Sequence, residues 1–470
     1  MENLKAMELI DDSFINEDEI ENKTKEYSLT DQWNAELFHR LNGDKARFNY
    51  SENKWMVWDG KCWQYALNGE EIRLAVSTVK HLLDTAANDV DLRRFREVLD
   101  WCKQSFSAQG IAKMLRLAQA INPIHPNELD TYPMLLNVEN GMINLESGEF
   151  LEHDRNCYLS KIAPVHYDHA AECPTWMQFL DTVMGGNQEM IAYLQKVVGY
   201  ALTGKTSEQC MFILYGDGSN GKSTFITTLL DILGDYALNT PKETLMEQKR
   251  EGIRNDLVRL KGIRFVAAAE GKRSNALDEA LVKQLTGGDK ITARALYQEY
   301  EDFEPEFKIF FATNYKPVVT GADHGIWRRL RPIPFTVRIA DKDKDSELPA
   351  KLLQERAGIL NWAIEGCLLW QREGLQSPQV VEDALRQYKS EQDVLSEFID
   401  SNCVTSLGAK VNKTLFHKKY QEYCAVSGAD FLSIGKLRKE LIHRGFKERN
   451  YSDGSYWVDV QLAERGSAEG

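Results

Sequence analysis

No stretch of this 470-residue chain approaches the roughly 18 uninterrupted apolar residues of a membrane helix, and the amino terminus, MENLKAMELIDDSF, has no basic region followed by an apolar core. Neither a membrane span nor a secretion signal is expected, and the expected compartment is the cytoplasm. Cysteine pairing motifs are missing too. The eight cysteines, at 62, 102, 157, 173, 210, 367, 403 and 424, never form C-x-x-C and stand far from paired histidines. That spacing disfavours a zinc site and a disulfide framework, leaving scattered, reduced, mostly buried thiols. Positive charge is scarce, 57 Lys and Arg against 71 Asp and Glu for a net −14, which argues against a nonspecific coat on nucleic acid but not against a local basic groove.

What is present is an ordinary globular composition, 43% hydrophobic and 27% charged, long enough for two to four domains. The charge is unevenly spread. Residues 1–28 hold nine acidic and three basic side chains and read as a flexible acidic tail, whereas 408–450 hold ten Lys or Arg against four acidic residues and read as a basic module.

Residues 211–230, MFILYGDGSNGKSTFITTLL, carry the chemistry most plainly. An apolar run ends at Tyr215, Gly216-Asp217-Gly218-Ser219-Asn220-Gly221-Lys222-Ser223-Thr224 follows, and the next segment has helical apolar spacing. A buried parallel strand would deliver this loop to a sheet edge, its glycines would turn backbone N–H groups around phosphates, and the following helix would aim its positive end at them. Lys222 would reach the β and γ phosphates of ATP and Ser223 would hold Mg²⁺. A Gly-rich turn without a ligand is the plainer alternative. The same consensus recurs at Gly199-Tyr-Ala-Leu-Thr-Gly204-Lys205-Thr206, but there a helical pattern leads in and the strand at Met211 follows. That order is inverted, so Gly204 reads as a helix C-terminal glycine with Lys205 near the negative helix end.

Further acids, amides and arginines follow in a fixed order. RFVAAAE, Arg264 to Glu270, is an apolar strand ending in a carboxylate that can orient or deprotonate a water and reach Mg²⁺ through another. KIFFATN, Lys308 to Asn314, is a second buried-strand pattern ending in an amide suited to sensing a γ-phosphate. Both groups fall at carboxyl ends of predicted strands, where open α/β sheets bind ligands. GIWRRLRPIPF, Gly325 to Phe335, then brings Arg328, Arg329 and Arg331 together. These form either a solvated face or a source of the arginine that completes a neighbouring subunit's site, with Arg328 the first choice and Arg331 the second.

The flanks are less explicit. YSENKWMVWDGKCWQY reads as a hairpin around Asp59-Gly60, a mainly helical stretch runs to Gln119, and Leu135 to His153 reads as short strands turning at Asn140-Gly141 and Ser147-Gly148. Trp55, Trp58 and Trp63 either stack bases or build core. Helices are expected over Leu348–Glu373 and Val380–Asn402, and then helix (Asn412–Val426), helix (Ser433–Arg444), a stop at Gly445 and a hairpin at Asp453-Gly454, an order that fits a winged helix. In its second helix lie Lys436, Arg438, Lys439 and Arg444, with Lys447 and Arg449 near the wing. These would contact DNA, or the module would serve protein contacts instead.

The ordered set GDGSNGKST, RFVAAAEG, LDEALVKQLTGGDKITAR, FKIFFATN and GIWRRLRPIPF resembles the superfamily 3 helicase domain of phage and plasmid primase-helicases, related to poxvirus helicase-primases, over roughly residues 30–460. The resemblance implies an α/β fold: an AAA+ P-loop ATPase core with an α+β amino-terminal domain and the carboxyl-terminal winged helix. The expected organisation is a tail (1–28), an α+β domain (29–173), the ATPase core with its helical lead-in (174–340), a helical region (341–405) and the winged-helix-like module (406–462). It further implies a homo-hexamer translocating on single-stranded or forked DNA, 3′ to 5′, with ATP and Mg²⁺. A pore hairpin is expected near Ile291–Phe303, where Lys290, Arg294 and Tyr297 would touch phosphate or base and Glu299, Glu301 and Asp302 make the tip acidic. Lys283 either matches a family position on the helix before Gly287-Gly288 or is a structural lysine of an amphipathic helix. In two respects the chain departs from the pattern. Glu270 is followed by Gly271 where many members have a second acid, so one carboxylate would serve metal and water. No paired-aspartate primase motif is evident, so no primer synthesis is expected, and a separate primase or host replication proteins would supply it. The alternatives are an origin-binding or loading factor that uses ATP as a switch on duplex DNA, and a small-molecule P-loop kinase.

Overall fold

A computed structural model of the chain describes residues 28–88, 92–247, 254–269, 276–294, 300–319, 324–427 and 431–463. The chain divides into two compact units, the first made of residues up to 132 with 137–143 and 150–162, the second of 133–136, 144–149 and everything from 163 onward.

In the first unit, helices α1 (Asp31–Asn42), α2 (Glu70–Ala86), α3 (Leu92–Ser105) and α4 (Ala108–Ala118) follow the amphipathic pattern of that stretch. Thr30 starts α1 by accepting a hydrogen bond from the Trp33 N–H at 3.1 Å, which satisfies a donor the first turn leaves open. Their apolar stripes close over Trp33, Phe38, Leu82, Cys102 and Met114. Strands β1 (Ala46–Asn49), β2 (Lys54–Trp58), β3 (Trp63–Tyr65) and β4 (Pro123–Ile124) form a sheet in the order β3-β2-β1-β4, and Trp58 pairs with Trp63 across the expected turn. Short strands β5 (Leu135–Val138), β6 (Gly141–Asn144) and β7 (Glu149–Leu151) occupy the segment that reads as turn-rich. Trp55 packs in the helical core, and Trp63 is 1% exposed with its indole N–H donating to the Arg155 carbonyl at 2.8 Å. Core packing therefore accounts for both tryptophans.

In the second unit, α5 (Pro174–Val183) and α6 (Gln188–Leu202) precede a five-stranded sheet. Its strands are β8 (Met211–Tyr215), β9 (Ala237–Pro241), β10 (Phe265–Ala269), β13 (Lys308–Thr313) and β14 (Leu330–Pro334), all parallel in the order β14-β8-β13-β10-β9. Nearly every residue of β8, β10 and β13 is buried, as a parallel sheet covered on both faces requires. Helix α7 (Lys222–Leu233) carries the chain from β8 toward β9, and α8 (Glu279–Gly287) precedes the β11 (Ile291–Ala293) and β12 (Glu301–Phe303) hairpin.

Two long helical expectations are each broken once. Leu348–Gln354 stops before α9 (Arg356–Glu373), because Glu355 turns its carboxylate to the Thr175 and Trp176 N–H groups at 2.9 and 3.0 Å and caps α5. Helices α10 (Gln379–Gln392) and α11 (Val394–Asn402) are parted by Asp393, which caps α11 through the Ser396 N–H and pairs with Arg444 at 2.8 Å. Beyond them come a strand absent from the sequence reading, β15 (Cys403–Asn412), then α12 (Lys413–Ser427), α13 (Ile434–His443), β16 (Lys447–Tyr451) and β17 (Gly454–Leu462). The last sheet is ordered β15-β17-β16, and one of its faces covers Phe398, Phe416, Leu437, Leu441 and Trp457. Among the described residues all cysteines are free and all but Cys403 are buried, and no helix is long and apolar enough to cross a membrane.

A candidate nucleotide site at the sheet edge

The loop Gly216–Gly221 leaves the carboxyl end of the second strand in the sheet and enters α7 directly. Gly216 has φ +149°, and a Cβ there would fall 2.1 Å from the Phe335 carbonyl oxygen, so only glycine fits that turn. Two residues beyond β14 pin the loop's shape. Asn220 donates to the Phe335 carbonyl at 2.8 Å, and the Ile339 N–H donates to the Ser219 carbonyl at 2.8 Å. Neither Phe335 nor Ile339 is recognisable from sequence, since both act through backbone atoms.

Lys222 opens α7 and is only 6% exposed. Its ammonium donates to the Gly216 carbonyl at 2.6 Å, to Asn220 Oδ1 at 3.0 Å and to Asn314 Oδ1 at 3.3 Å. Three neutral acceptors satisfy its donors without neutralising its charge, and burial lowers its pKa, opposed by Asp217. A buried cation so placed is suited to an anion arriving at the helix N-terminus. Asn314 reaches it because β13 lies next to β8, with Thr313 opposite Tyr215. Ser223, in the first turn of α7, is exposed and offers a hydroxyl oxygen of the kind a hard cation takes, while Asp217, Gly218 and Ser219 line the open side of the loop. Thr224 is half-buried one position further on. Among the described residues no group of three or more His, Cys, Asp or Glu is placed to hold a metal ion. Glu270 and Tyr297 lie outside the described residues, and β10 is followed to Ala269.

The arginines occupy the other end of the sheet. Leu330 pairs with Met211 and Pro334 with Tyr215, so Arg328 and the start of β14 stand about 13 Å along the strands from the loop, at 3.3 Å per residue. Arg328 is exposed and donates to Gln209 Oε1 at 3.3 Å. Arg329 is committed internally, to Thr286 Oγ1 at 3.1 Å and the Gly325 carbonyl at 2.8 Å. Arg331, within β14, donates to the Arg328 carbonyl at 2.7 Å. Lys222 and Asn314 are thus brought together within the chain, and Arg328 and Arg331 are not.

The second copy of the consensus lies where α6 ends. Gly199 is inside that helix and faces α9, where a Cβ would meet the Cys367 N at 2.0 Å. Gly204 stands just past the end of α6, where the helix-terminal reading placed it. Thr203 is the cap, and Gly204 donates its N–H to the Pro133 carbonyl at 2.7 Å. Helix carbonyls there face buried cations: Arg264 donates to the Leu202 carbonyl at 2.8 Å, and Lys308 donates to that of Thr203.

Of the other residues singled out, Lys290 is exposed at the foot of the β11–β12 hairpin, and the Arg294 guanidinium stands 4.9 Å from the Tyr300 ring centroid. Lys283 is half-buried on α8. In the last module Lys436, Lys439, Lys447 and Arg449 are exposed without an ion pair among the described residues. Arg438 is instead clamped on Glu448 at 2.8 and 2.5 Å, and Arg444 on Asp393 and on Glu440 of its own helix, because Glu448 and Asp393 return to α13 from other segments. With Lys413 also on it, Glu448 is held down to about 2.

A family model described as D5 N terminal like matches residues 35–185, and a family of unknown function matches residues 214–329, the span from the phosphate loop to Arg329. A candidate helicase of Acanthamoeba polyphaga mimivirus is 30% identical over 305 residues, 60% of this chain and 32% of that protein. A candidate primase of African swine fever virus is 26% identical over 321 residues, again 60% and 32%. The chain thus carries a D5 N-terminal-like segment and is similar over 60% of its length to viral proteins described as candidate helicases and primases. A candidate helicase of Invertebrate iridescent virus 3 is 25% identical over 333 residues, 63% of this chain and 35% of that protein. The chain spans about a third of the length of the curated relatives it matches. A solved apo structure of the NrS-1 C-terminal region aligns over 92% of this chain and all of its own, with a TM-score of 0.47 at 9% identity, a likeness too loose to argue from.

Proposed function

We propose that this chain is the motor of an ATP-driven replicative DNA helicase of a virus, phage or other mobile element, working as a homo-hexamer that moves 3′ to 5′ along single-stranded DNA. The reading rests above all on Lys222 Nζ meeting Asn314 Oδ1 at 3.3 Å at the carboxyl edge of a parallel sheet whose order has the loop-bearing strand second. That strand order and that loop are what an AAA+ core of superfamily 3 requires, and helix, helix and hairpin after β15 are what a winged helix requires.

The residues divide the work as follows. Amides of Gly216 to Ser223 surround the phosphates, and Lys222 gives up neutral acceptors for phosphate oxygens. Ser223 would hold Mg²⁺, which would supply neutralisation of phosphate charge. Glu270 orients and deprotonates the attacking water, and Asn314 positions that water against the γ-phosphate. Arg328, exposed at the opposite sheet edge, reaches the site of a neighbouring subunit, with Arg331 supporting its backbone. Movement of the β11–β12 hairpin, with Lys290, Arg294 and Tyr297, then draws the strand through the ring.

Strand displacement on a forked duplex tests this reading. Wild type separates strands with ATP, whereas Lys222→Ala and Arg328→Ala do not. A wild type that hydrolyses ATP and binds DNA but separates nothing would favour an ATP-switched origin-binding factor. That second reading draws on four uncommitted cations at the carboxyl terminus, Lys436, Lys439, Lys447 and Arg449.

A further inference from the structure

The outer face of the last sheet sets cations beside aromatic rings. In β16, Lys447, Arg449 and Tyr451 are two apart and share a face, while Glu448 turns to the other side with Arg438 and Lys413. Register extends that face across the sheet. Arg449 pairs with Tyr456 and Lys447 with Val458 on β17, and Val458 pairs with Lys410 on β15. Trp457, pointing the other way, is 2% exposed in the core.

The Lys410 ammonium sits 4.4 Å from the Tyr451 ring centroid and 4.6 Å from that of Tyr456, and those two rings meet edge to face at 5.5 Å. None of Lys410, Lys447 and Arg449 has an ion pair among the described residues, in a chain of net charge −14. An open concavity of about 630 Å³ runs along this edge, lined by Lys447, Arg449, Tyr451 and Val458, with the carboxylates Glu448 and Asp459 and with Ile442 of α13 also on its wall.

We infer that this sheet face is a binding site for single-stranded nucleic acid, separate from the β11–β12 hairpin. Lys447 and Arg449 hold successive phosphates. Lys410 leaves its place over the tyrosines for a third phosphate, and an unpaired base takes that place on the Tyr451 ring. Bases in a duplex are already stacked on one another, so a ring platform selects the single strand. The inference needs neither nucleotide nor ring assembly, and so stands apart from the motor reading.

The test uses the full chain without ATP, a short oligothymidylate carrying 4-thiothymidine for photocrosslinking, and its fluorescent counterpart for anisotropy. Crosslinks are expected on the peptide containing residues 447–456, in wild type and in Lys222→Ala alike. Affinity should fall about tenfold in Tyr451→Ala and be restored in Tyr451→Phe, as loss and return of one stacked base predict. The logarithm of affinity should fall with the logarithm of salt with a slope of about −2 from this face, losing about 0.7 in Lys447→Gln. The inference is overturned if no crosslink maps to that peptide, if Tyr451→Ala binds as wild type, or if a duplex of equal length competes as well as the single strand. Loss of strand displacement with these results intact would overturn the motor reading alone.

Discussion

Two segments of this chain spell the same consensus, Gly199 to Thr206 and Gly216 to Ser223, and fold to opposite electrostatic ends. The first falls at the carboxyl end of α6, where carbonyls of Leu202 and Thr203 take hydrogen bonds from the buried cations Arg264 and Lys308. The second falls at the amino end of α7, where backbone N–H groups and Lys222 face outward from the sheet. One helix end collects protein cations and the other is left for an anion, as the helix dipole dictates. A phosphate-loop pattern therefore carries meaning only through the element that follows it.

The strongest way to break the comparison is to exchange lysine for alanine in each copy. Lys222→Ala should lower ATP turnover by at least about a hundredfold, because the ammonium that neutralises phosphate charge is gone. Lys205→Ala should leave it within about twofold of wild type, measured by phosphate release, since its side chain lies at the wrong end of a helix. Equal losses in both would dissolve the distinction.

Next in size is the first copy's structural role. Arg264→Ala should cost about 3 kcal/mol of stability, because it strands the Leu202 carbonyl and empties the space 4.5 Å from the Tyr236 ring. A urea titration read by tryptophan fluorescence would show an earlier midpoint. Lys222→Ala should shift that midpoint far less.

Asn314→Ala sharpens the second copy. Turnover should fall about tenfold to a hundredfold, with nucleotide affinity changed less, since the amide is asked to place the water more than to bind phosphate. Stopped-flow binding of a fluorescent ATP analogue beside steady-state turnover separates the two.

The smallest effect lies outside both copies. Glu448, held at about 2 first by its bond to Arg438 and then by Lys413, stabilises the last module above its ordinary value of about 4.5. That contribution is present at neutral pH and is lost as pH falls from 4.5 toward 2. Melting temperatures of wild type and Glu448→Gln should converge over that window and differ above it.

Much of the loop-bearing sheet was legible in the chain because strand, loop and helix are contiguous, so local periodicity and the glycines of one turn carry it. The β10 and β13 strands were legible from their apolar runs, and the hairpin at Asp453-Gly454 from its turn. What escaped depends on distant partners. Glu355 and Asp393 break long helical patterns because each carboxylate serves atoms elsewhere, the Thr175 and Trp176 amides in one case and Arg444 in the other. Strand β15 mixes apolar and polar residues without regular alternation, is mostly exposed and is interrupted by Gly408, so its own residues do not mark a strand. The commitment of Arg438 to Glu448 was hidden for the same reason, as was the anchoring of the loop on the Phe335 carbonyl.

The central claim is that the nucleotide at Lys222 is completed by an arginine from a neighbouring chain, and mixing two inactive variants tests it most directly. Lys222→Ala supplies Arg328 without a working loop, and Arg328→Ala supplies the loop without the arginine. In an equal mixture assembled on single-stranded DNA, random head-to-tail neighbours join an intact loop to an intact arginine at about one interface in four. ATP hydrolysis should then recover to roughly a quarter of wild type, if interfaces work independently. A mixture no more active than the sum of its two parts, or an Arg328→Ala protein fully active alone, would contradict it.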